Sequence, residues 1–242
     1  RCSARSQQVF GQAPAELLGR NVLAQLSGLR GDALRSCFER LQRGDEFRNH
    51  VASTHQRADG SLLHCEWFNS ALTDADGHVT SIMSLVEDVT ARVAAESQLR
   101  WMATHDQLTG LRNRAAMEER AALALARVRR SGATVTLIVV DLDGFKPVND
   151  RLGHAAGDRV LIEVARRLTT CVRSTDTVAR VGGDEFVILL EPGDCGEGVD
   201  TIVNRVFAAL APPIDVGNGS ASVGASIGIA QHPPGPDSAA DL

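Results

Sequence analysis

Two short β-prone runs, joined by a pair of glycines and a pair of acids, constrain the fold of this chain more than any other segment. Residues 178–181 and 186–190 flank the tetrapeptide Gly182-Gly183-Asp184-Glu185. A glycine pair suits a tight turn, and its missing side chains let a phosphate approach the backbone amides. The segment therefore predicts a β-hairpin whose turn carries two carboxylates, which could hold a metal ion that bridges those phosphates. Taken alone, it is equally compatible with an ordinary hairpin that carries solvated acids.

A second acidic segment follows the most apolar run of the chain. Residues 135–140 lead directly into Asp141-Leu142-Asp143. A carboxylate at the end of a buried strand is unfavourable unless it is paired or coordinated. If this strand neighbours the hairpin, Asp141 and Asp184 can converge on one Mg²⁺, which prefers hard oxygen ligands. The alternative for Asp141 is a helix N-cap or a turn.

Helical and strand patterns alternate from residue 113 onward, and this alternation predicts a central sheet with helices packed on it. The expected helices cover 115–130, 157–173 and 201–210, and the expected strands cover 135–142, 177–181, 186–190 and 222–230.

Residues 47–88, in contrast, are β-prone runs separated by the dipeptides Asp59-Gly60 and Asp76-Gly77. Asp-Gly favours hairpins because both residues tolerate positive φ. A short amphipathic helix is expected before these runs, over 32–42, and an uninterrupted helix after them, over 91–104. The sequence thus predicts two folded regions joined by a helix.

Residues 145–158 add polar side chains suited to a purine base. An amide and a carboxylate, here Asn149 and Asp158, can read guanine. The carboxylate accepts from the ring N–H and the amino group, while the amide meets the other polar edge groups. Lys146 can face phosphate oxygens. Each residue also has a plainer interpretation, as a turn former, a helix N-cap or a solvated charge.

The composition excludes several classes of protein. The net charge of the 242 residues is −5, which argues against a surface that coats nucleic acid. Five cysteines are scattered without a C-x-x-C pair, which disfavours a zinc site and favours reduced thiols in the cytosol. The longest apolar run is too short to span a bilayer, and no signal peptide is visible. We therefore expect a cytoplasmic protein, while a membrane anchor outside this segment stays open.

Several spaced motifs follow one another from about residue 105 to the end. They are segments 106–114 (DQLTGLRNR), 141–146 (DLDGFK), 149–150 (ND), 153–154 (GH), 157–158 (GD), 180–186 (RVGGDEF) and 226–230 (SIGIA). Together they closely resemble the GGDEF family of diguanylate cyclases. The resemblance implies a palm-like fold that converts two GTP molecules into cyclic di-GMP and two pyrophosphates. It also implies a homodimer, because one domain holds one GTP and two domains must face each other.

The resemblance assigns metal-binding and catalytic roles position by position. Asp141, the backbone carbonyl of Leu142 and Asp184 would bind Mg²⁺, with Mn²⁺ as the alternative ion. Lys146 would steady charge on the transferring phosphoryl group. Glu185 would assist deprotonation or bind a second metal ion.

The same resemblance implies a substrate-binding set. Asn149 and Asp158 would read guanine, and His154 lies in the same nucleotide-contacting stretch. Gly182 and Gly183 would contact phosphate through their backbone.

One further motif matches a regulatory site of the family. Arg173-Ser-Thr-Asp176 stands five residues before Gly182, as the R-x-x-D product-inhibition motif does. Arg173 would contact the guanine or phosphate of bound cyclic di-GMP, and Asp176 would contact the guanine edge. An exposed ion pair is the alternative interpretation.

The amino-terminal part resembles a PAS sensor domain through residues 10–20 (FGQAPAELLGR), 57–60 (RADG), 76–77 (DG) and 88–90 (DVT). Its first core strands are expected to be missing. The resulting fold class is α+β: an incomplete PAS-like antiparallel sheet domain over 1–90, a helical linker over 91–104, and a palm-like GGDEF domain with a central sheet flanked by helices over 105–242. A small-molecule ligand of the PAS-like part is a further expectation. His64 or His50 could ligate haem, although a polar strand residue is the favoured interpretation.

Two other functions stay open at this stage. The GGDEF part could be an inactive module that senses GTP or cyclic di-GMP and regulates a partner, such as a phosphodiesterase domain beyond residue 242. The family normally continues with a helix of basic residues that touch the phosphates, so this segment is expected to be weakly active without it. A different palm-like cyclase or polymerase relative would also need the acids, but the spacing of Asn149 and Asp158 favours guanine.

Overall fold

A computed structural model describes residue 19 and residues 31–57, 60–131, 134–191, 198–217 and 219–232 of the chain. The chain divides into two compact units, the first ending at Gln98 and the second beginning at Leu99. Within the described ranges, no helix has the length and apolar character needed to cross a membrane. Of the residues named in the sequence predictions, Asp59 and residues 10–18 and 20 of the PAS-like motif lie outside the described residues.

The first unit contains a helix and an antiparallel three-stranded sheet. Its elements are α1 (Gly31–Arg43), β1 (Arg48–Gln56), β2 (Leu62–Thr73) and β3 (Val79–Asp88), followed by α2 (Thr90–Thr104). The strands pair in the order β1-β2-β3. Gly77 has a φ of 85° between β2 and β3, as the Asp-Gly turn predicts. Both predicted helices of this part are present, each within two residues of its expected bounds.

One face of this sheet packs on α1. Apolar residues recur along α1 at helical spacing and bury Leu34 and Phe38 against β2. On β2 the buried residues alternate, with Cys65 and Trp67 facing the helix, as expected for a strand with one covered face. The indole Nε1 of Trp67 donates to Ser53 Oγ at 2.7 Å, which satisfies a buried donor.

The histidines named as haem candidates contact neighbouring side chains of the same sheet. His64 Nδ1 lies 3.1 Å from Thr54 Oγ1. The ring of His50 stacks on Phe68, with 4.6 Å between centroids, and half of its side chain is exposed. These contacts are those of polar strand residues.

The second unit is a four-stranded sheet with helices on both faces. Its elements are α3 (Arg114–Ser131), β4 (Val135–Asp141), α4 (Phe145–Leu152), α5 (His154–Thr170), β5 (Thr177–Gly182), β6 (Glu185–Leu190), α6 (Val199–Leu210), β7 (Ile214–Asp215), β8 (Ser220–Ala221) and β9 (Ser226–His232). The strand order is β5-β6-β4-β9, and every pair is antiparallel. β7 and β8 form a separate ribbon.

The apolar character of β4 follows from its central place in the sheet. Ile138 and Val140 face a core shared with α5 and α6, whereas Leu137 faces a second core shared with α3. A strand covered on both faces has no polar alternation. The predicted central sheet with packed helices is therefore confirmed.

Two predicted boundaries are wrong for identifiable reasons. α5 begins at His154 rather than at residue 157, because Gly153, with a φ of 84°, separates α4 from α5 and lets the new helix start at once. The strand expected over 222–230 begins only at Ser226. Before it, the backbone of Gly224 exchanges hydrogen bonds of 3.1 and 2.9 Å with Asp143, beyond the end of β4.

Candidate active site

The turn between β5 and β6 leaves its backbone open. β5 ends at Gly182 and β6 begins at Glu185, so Gly183 and Asp184 form the turn. Gly183 has a φ of 45°, a left-handed conformation that a side chain would strain. Among the described residues, no heavy atom lies within 4 Å of the position that a Cβ would take on either glycine. A group such as phosphate therefore has room to reach these amides.

The predicted acids lie at the edge of the sheet where this turn joins β4. Asp141, the last residue of β4, lies directly opposite Glu185, the first residue of β6. Directly opposite residues share a face of the sheet, with Cβ atoms about 4.5–5.5 Å apart. Asp184 is held beside them, because its carbonyl oxygen accepts a hydrogen bond of 3.3 Å from the N–H of Leu142.

These donors fit a divalent metal ion. Two carboxylates on directly opposite residues repel each other, and Asp141 and Glu185 have this arrangement at an exposed strand end. A cation bound between them would remove the repulsion. The side chains of Asp141, Asp184 and Glu185 and the carbonyl of Leu142 offer only oxygen atoms, which suits a hard ion.

A partly buried ion pair between Arg180 and Asp106 supports the turn between β5 and β6. Arg180 on β5 donates through Nε to the carbonyl oxygen of Gly183 at 2.9 Å and through a terminal nitrogen to both carboxylate oxygens of Asp106, at 3.1 and 3.2 Å. Burial by itself raises the pKa of Asp106, but hydrogen bonds from Thr109 and Arg180 outweigh it, so this pKa lies below its ordinary value. A charged Asp106 thus fixes Arg180, which in turn fixes a carbonyl of the turn.

A second arginine approaches the same turn from α3. Arg114 donates through Nε to the carbonyl oxygen of Val181 at 3.2 Å. Its guanidinium lies 3.9 Å from the carboxylate of Glu185, and both side chains are about half exposed. Solvent weakens the attraction in such an exposed pair, so Arg114 mainly orients the carboxylate of Glu185.

The predicted guanine-reading residues come together at the junction of α4 and α5. Asn149 in α4 packs so closely on Gly157 in α5 that a Cβ there would overlap its Oδ1 and stand 2.9 Å from its Cγ. Asp158 follows Gly157 and is exposed, as is His154 at the start of α5. Lys146 is exposed in the first turn of α4. The amide of Asn149 and the carboxylate of Asp158 therefore occupy one end of α5.

The predicted inhibitory motif forms a compact turn before β5. The N–H of Arg173 donates to one carboxylate oxygen of Asp176 at 3.0 Å, and the N–H of Glu191 donates to the other at 3.1 Å. Asp176 therefore ties the turn to the end of β6, while its oxygens keep further lone pairs for a ligand.

The predicted residues thus fall into three clusters. The turn cluster contains Asp141, Leu142, Gly182, Gly183, Asp184 and Glu185. Within the described ranges, no hydrogen bond or ion pair joins this cluster to the cluster of Asn149 and Asp158, or to that of Arg173 and Asp176. A substrate that contacts both the turn cluster and the cluster of Asn149 and Asp158 would therefore be the link between them.

Two family profiles match the chain. The profile described as the diguanylate cyclase GGDEF domain matches residues 103–242, more than half of the chain, and the profile described as the PAS fold matches residues 1–94. The chain belongs to the GGDEF family of diguanylate cyclases. The prediction of a PAS fold followed by a GGDEF domain is confirmed, as are the α+β class and the assignment to this family.

Relatives extend the similarity over most of this GGDEF chain. Diguanylate cyclase TpbB of Pseudomonas aeruginosa is 40% identical over 164 residues, which are 67% of this chain and 38% of that protein. An uncharacterized signalling protein of Caulobacter vibrioides is 34% identical over 228 residues, 93% of this chain and 27% of that protein. The chain therefore spans between about a quarter and two fifths of the length of these relatives.

A solved structure of another GGDEF protein is also similar. The coiled coil and GGDEF domain of DgcB from Caulobacter crescentus, in complex with c-di-GMP, matches with a TM-score of 0.55 at 29% identity. The match covers 61% of this chain and 79% of that one. Diguanylate cyclases with this domain generally use a divalent metal ion. The roles of individual residues stay predictions.

Four residues of the GGDEF domain that help to shape these clusters were assigned no role from sequence. Asp106 and Arg114 belong to the opening motif, and Arg180 to the turn motif, but their contacts cross up to 74 positions of sequence. Gly157 is a helix residue whose importance lies in the side chain packed on it. The sequence shows that Arg114 and Arg180 belong to these motifs, but it does not identify the residues that they contact.

Proposed function

We propose that the GGDEF domain of this chain is a diguanylate cyclase that converts two GTP molecules into cyclic di-GMP and two pyrophosphates. The observation that carries the proposal is the placement of Asp141 opposite Glu185, directly beside a glycine turn with an open backbone. Acids at a sheet edge that can share a cation, and a turn whose missing side chains leave room for phosphate, suit metal-assisted nucleotidyl transfer.

The domain's own residues bind and orient one GTP. Asn149 and Asp158 read the guanine edge, with His154 beside them at the start of α5. The amides of Gly182 and Gly183 contact the phosphates. Lys146 is an exposed positive charge in the first turn of α4, suited to the negative charge that develops on the transferred phosphoryl group.

Each half of the reaction forms one bond and breaks one. The 3′-oxygen of one GTP attacks the α-phosphorus of the other, and the bond from that phosphorus to the oxygen that bridges to the β-phosphate breaks. The hydroxyl proton passes to a base, and our candidate for it is Glu185, the first residue of β6. Pyrophosphate leaves, and the same exchange closes the ring.

Asp141, Asp184 and the carbonyl of Leu142 would hold the metal, which we propose to be Mg²⁺, with Mn²⁺ as the alternative. When bound, it lowers the pKa of the attacking hydroxyl and neutralises the leaving pyrophosphate. The protein's part would be to bring these residues to one edge of the sheet, which the β4–β6 register and the Leu142–Asp184 backbone hydrogen bond support.

Two GGDEF domains are required, because a single turn cluster orients one GTP. The proposal therefore includes a homodimer in which the 3′-hydroxyl held by one copy faces the α-phosphate held by the other. Catalysis is then largely positioning, which can supply several kcal/mol, on the order of 7–11 in well-oriented systems.

The activity test incubates the protein with GTP or ATP and Mg²⁺ and resolves the products by chromatography. Cyclic di-GMP from GTP, and no cyclic product from ATP, is expected. Asp184→Ala should abolish the product, whereas Asp150→Ala, which removes an exposed acid of α4, should not. Full activity of Asp184→Ala would reject the metal assignment, and absent synthesis with retained cyclic di-GMP binding would favour a sensor.

We also propose that the PAS fold controls the cyclase through α2. The helix Thr90–Thr104 contains no glycine or proline, and Asp88 holds its start by accepting from the N–H of Thr90 at 2.9 Å. Insertion of two residues after Gln98 would rotate everything that follows by about 200° at 3.6 residues per turn. Cyclase activity that responds to the PAS signal identically before and after this insertion would contradict the proposal.

A further inference from the structure

Asp143, the second acid of the segment 141–143, is held by residues that lie far along the chain. Its backbone exchanges hydrogen bonds of 3.1 and 2.9 Å with Gly224. Both oxygens of its carboxylate accept from the hydroxyl of Ser226, 83 positions later, at 3.0 and 3.1 Å. The short segment that leads into β9 therefore fixes both the backbone and the side chain of one exposed acid.

Burial alternates along residues 223–227, and this alternation turns Gly224 and Ser226 towards Asp143. The apolar residues of the segment pack against the core shared with α5 and α6, namely Val223, Ala225 and Ile227. The intervening residues therefore lie on the opposite side, as in any extended chain. A Cβ on Gly224 would stand 3.2 Å from the Cβ of Asp143, closer than such atoms usually approach, so glycine is what allows the two backbones to meet.

Ser226 also belongs to the row of acids at the end of the sheet. It lies directly opposite Asp141, which in turn lies directly opposite Glu185 on the other neighbouring strand. The three residues thus share one face of the sheet. Because β4 lies between β6 and β9, the hydrogen bond from Ser226 holds Asp143 on the β9 side, away from the turn on the β6 side. Asp143 is therefore placed to support the turn cluster rather than to join it.

The hydrogen bond to Gly224 also sets the direction of the carbonyl group of Leu142. The N–H of Asp143 and this C=O belong to one peptide group, and none of the peptide bonds in the described ranges is cis. In a planar trans peptide the N–H and the C=O point in opposite directions. The N–H of Asp143 points to Gly224, on the β9 side of the chain. The carbonyl oxygen of Leu142 therefore points to the β6 side, where Asp184 lies.

This peptide group lies beyond the end of a strand, so contacts outside the strand ladder must hold it. β4 ends at Asp141, and Gly144 then turns the chain into α4 with a φ of 81°. Glycine has the widest backbone freedom of all residues, so it does little to restrain the peptide groups before it. The hydrogen bonds of Asp143 with Gly224 and Ser226 fasten the chain at this point.

We propose that Asp143 and Ser226 are positioning residues of the metal site, which keep the carbonyl oxygen of Leu142 aimed at the cation. The inference rests on the proposed function, because that function places this oxygen beside Asp141 and Asp184 among the metal ligands. Groups that orient a ligand without touching the metal commonly change metal affinity by roughly 10–100-fold when they are removed. Loss of the Ser226 hydroxyl would release the carboxylate of Asp143 and let the peptide group before it rotate.

The test compares how tightly the full chain binds 3′-deoxy-GTP in Mg²⁺ and in EDTA, measured by isothermal titration. This nucleotide lacks the attacking hydroxyl, so no turnover occurs. The Kd in EDTA divided by the Kd in Mg²⁺ reports the contribution of the metal alone. Ser226→Ala and Asp143→Ala are each expected to lower this ratio by roughly 10-fold and to leave the Kd in EDTA unchanged. Because the two residues act as a pair, the double variant should lose no more than either single variant.

Further variants separate positioning from general damage to the fold. Ser226→Thr keeps the hydroxyl at a strand position, which suits a β-branched residue, so it should retain most of the ratio. Gly224→Ala pushes on Asp143 and should lower the ratio, whereas Gly228→Ala, whose Cβ meets no described atom within 4 Å, should not. Ser222→Ala removes another exposed hydroxyl of the same segment and is the control for Ser226→Ala.

The outcomes separate this inference from the cyclase proposal. A ratio for Ser226→Ala and Asp143→Ala within twofold of that of the unmodified chain would overturn the inference, even if synthesis of cyclic di-GMP is efficient. A lower ratio in both variants, with recovery in Ser226→Thr, supports it even if the chain makes no product. A ratio of one for the unmodified chain would overturn both the inference and the metal assignment. Equal losses of affinity in Mg²⁺ and in EDTA would leave the ratio unchanged and give the pair a purely structural role, which also overturns the inference.

Discussion

Arg180 donates to both carboxylate oxygens of Asp106, a residue 74 positions earlier in the chain. The same guanidinium reaches the carbonyl of Gly183 in the active-site turn. One side chain therefore ties the opening motif of the GGDEF domain to the loop that we propose to bind phosphate. Exposed fractions of 14% for Arg180 and 23% for Asp106 mean that solvent screens this pair only in part.

Asp106→Asn should destabilise the domain and slow the cyclase together. Hydrogen bonds to charged groups contribute about 1.5–3 kcal/mol to stability. We therefore expect the free energy of unfolding, measured in urea, to fall by an amount of this order. Arg180→Lys keeps the positive charge, but the lysine ammonium group cannot reach both Asp106 and the carbonyl of Gly183. The rate of cyclic di-GMP synthesis should therefore fall, while most of the free energy of unfolding remains. The matched control is Arg166→Lys. A fully active Arg180→Lys would show that the turn does not depend on this support.

Gly157→Ala should impair GTP binding without unfolding the protein. The new Cβ would displace the side-chain amide of Asn149, which is the end of a flexible side chain and can rotate away. We expect a rise of the KM for GTP by roughly 10-fold, the effect of one lost hydrogen bond in a site built for guanine. Gly228→Ala on β9, where a Cβ meets no described atom within 4 Å, is the control. Equal KM values in the two variants would remove Asn149 from the guanine site.

Asp141→Asn should stabilise the metal-free protein while it lowers activity. Asp141 and Glu185 lie directly opposite each other, and removal of one carboxylate relieves a repulsion of about 0.2–1 kcal/mol. We expect a higher Tm in EDTA and a strongly reduced rate in Mg²⁺. Asp150→Asn, on α4, should change neither. A lower Tm for Asp141→Asn in EDTA would mean that the carboxylate is bound by protein groups and not placed for a cation.

Glu163→Gln should change the dependence of stability on pH. Hydrogen bonds from Arg166 and Arg167 lower the pKa of Glu163 from 4.5 to about 2. A lowered folded-state pKa gives stability that is complete above about pH 4.5 and is lost as the pH falls towards 2. The variant should therefore be less stable than the unmodified chain at neutral pH, and the difference should shrink between pH 4.5 and 2.

The measurement for Glu163 is the urea midpoint by circular dichroism across that pH range. Arg167 also donates to the carbonyls of Ala209, Pro212 and Pro213, so Glu163 helps to fasten α5 to the segment that follows α6. Glu119→Gln, an exposed acid on α3, is the control. A difference between Glu163→Gln and the unmodified chain that stays constant with pH would contradict the ion-pair explanation.

Most elements of the fold could be predicted from local pattern. The Gly-Gly pair predicted the turn, and the apolar run before Asp141 predicted a central strand, because a strand covered on both faces has no polar side. The two errors have different causes. Gly153 takes a left-handed φ that lets α5 begin early, whereas Gly224 delays β9 through backbone hydrogen bonds to the distant Asp143.

The sequence by itself determined which residue types stand at the turn, the guanine-reading helix ends and the R-x-x-D motif, since these follow from spacing along one segment. Only the tertiary structure decided that Asp141 faces Glu185, that Asp106 holds Arg180, and that Ser226 holds Asp143. The reason is physical: strand register and helix packing are set by burial of apolar faces across the whole domain. The resulting polar contacts join residues that are far apart in the sequence, so no local sequence pattern reveals them.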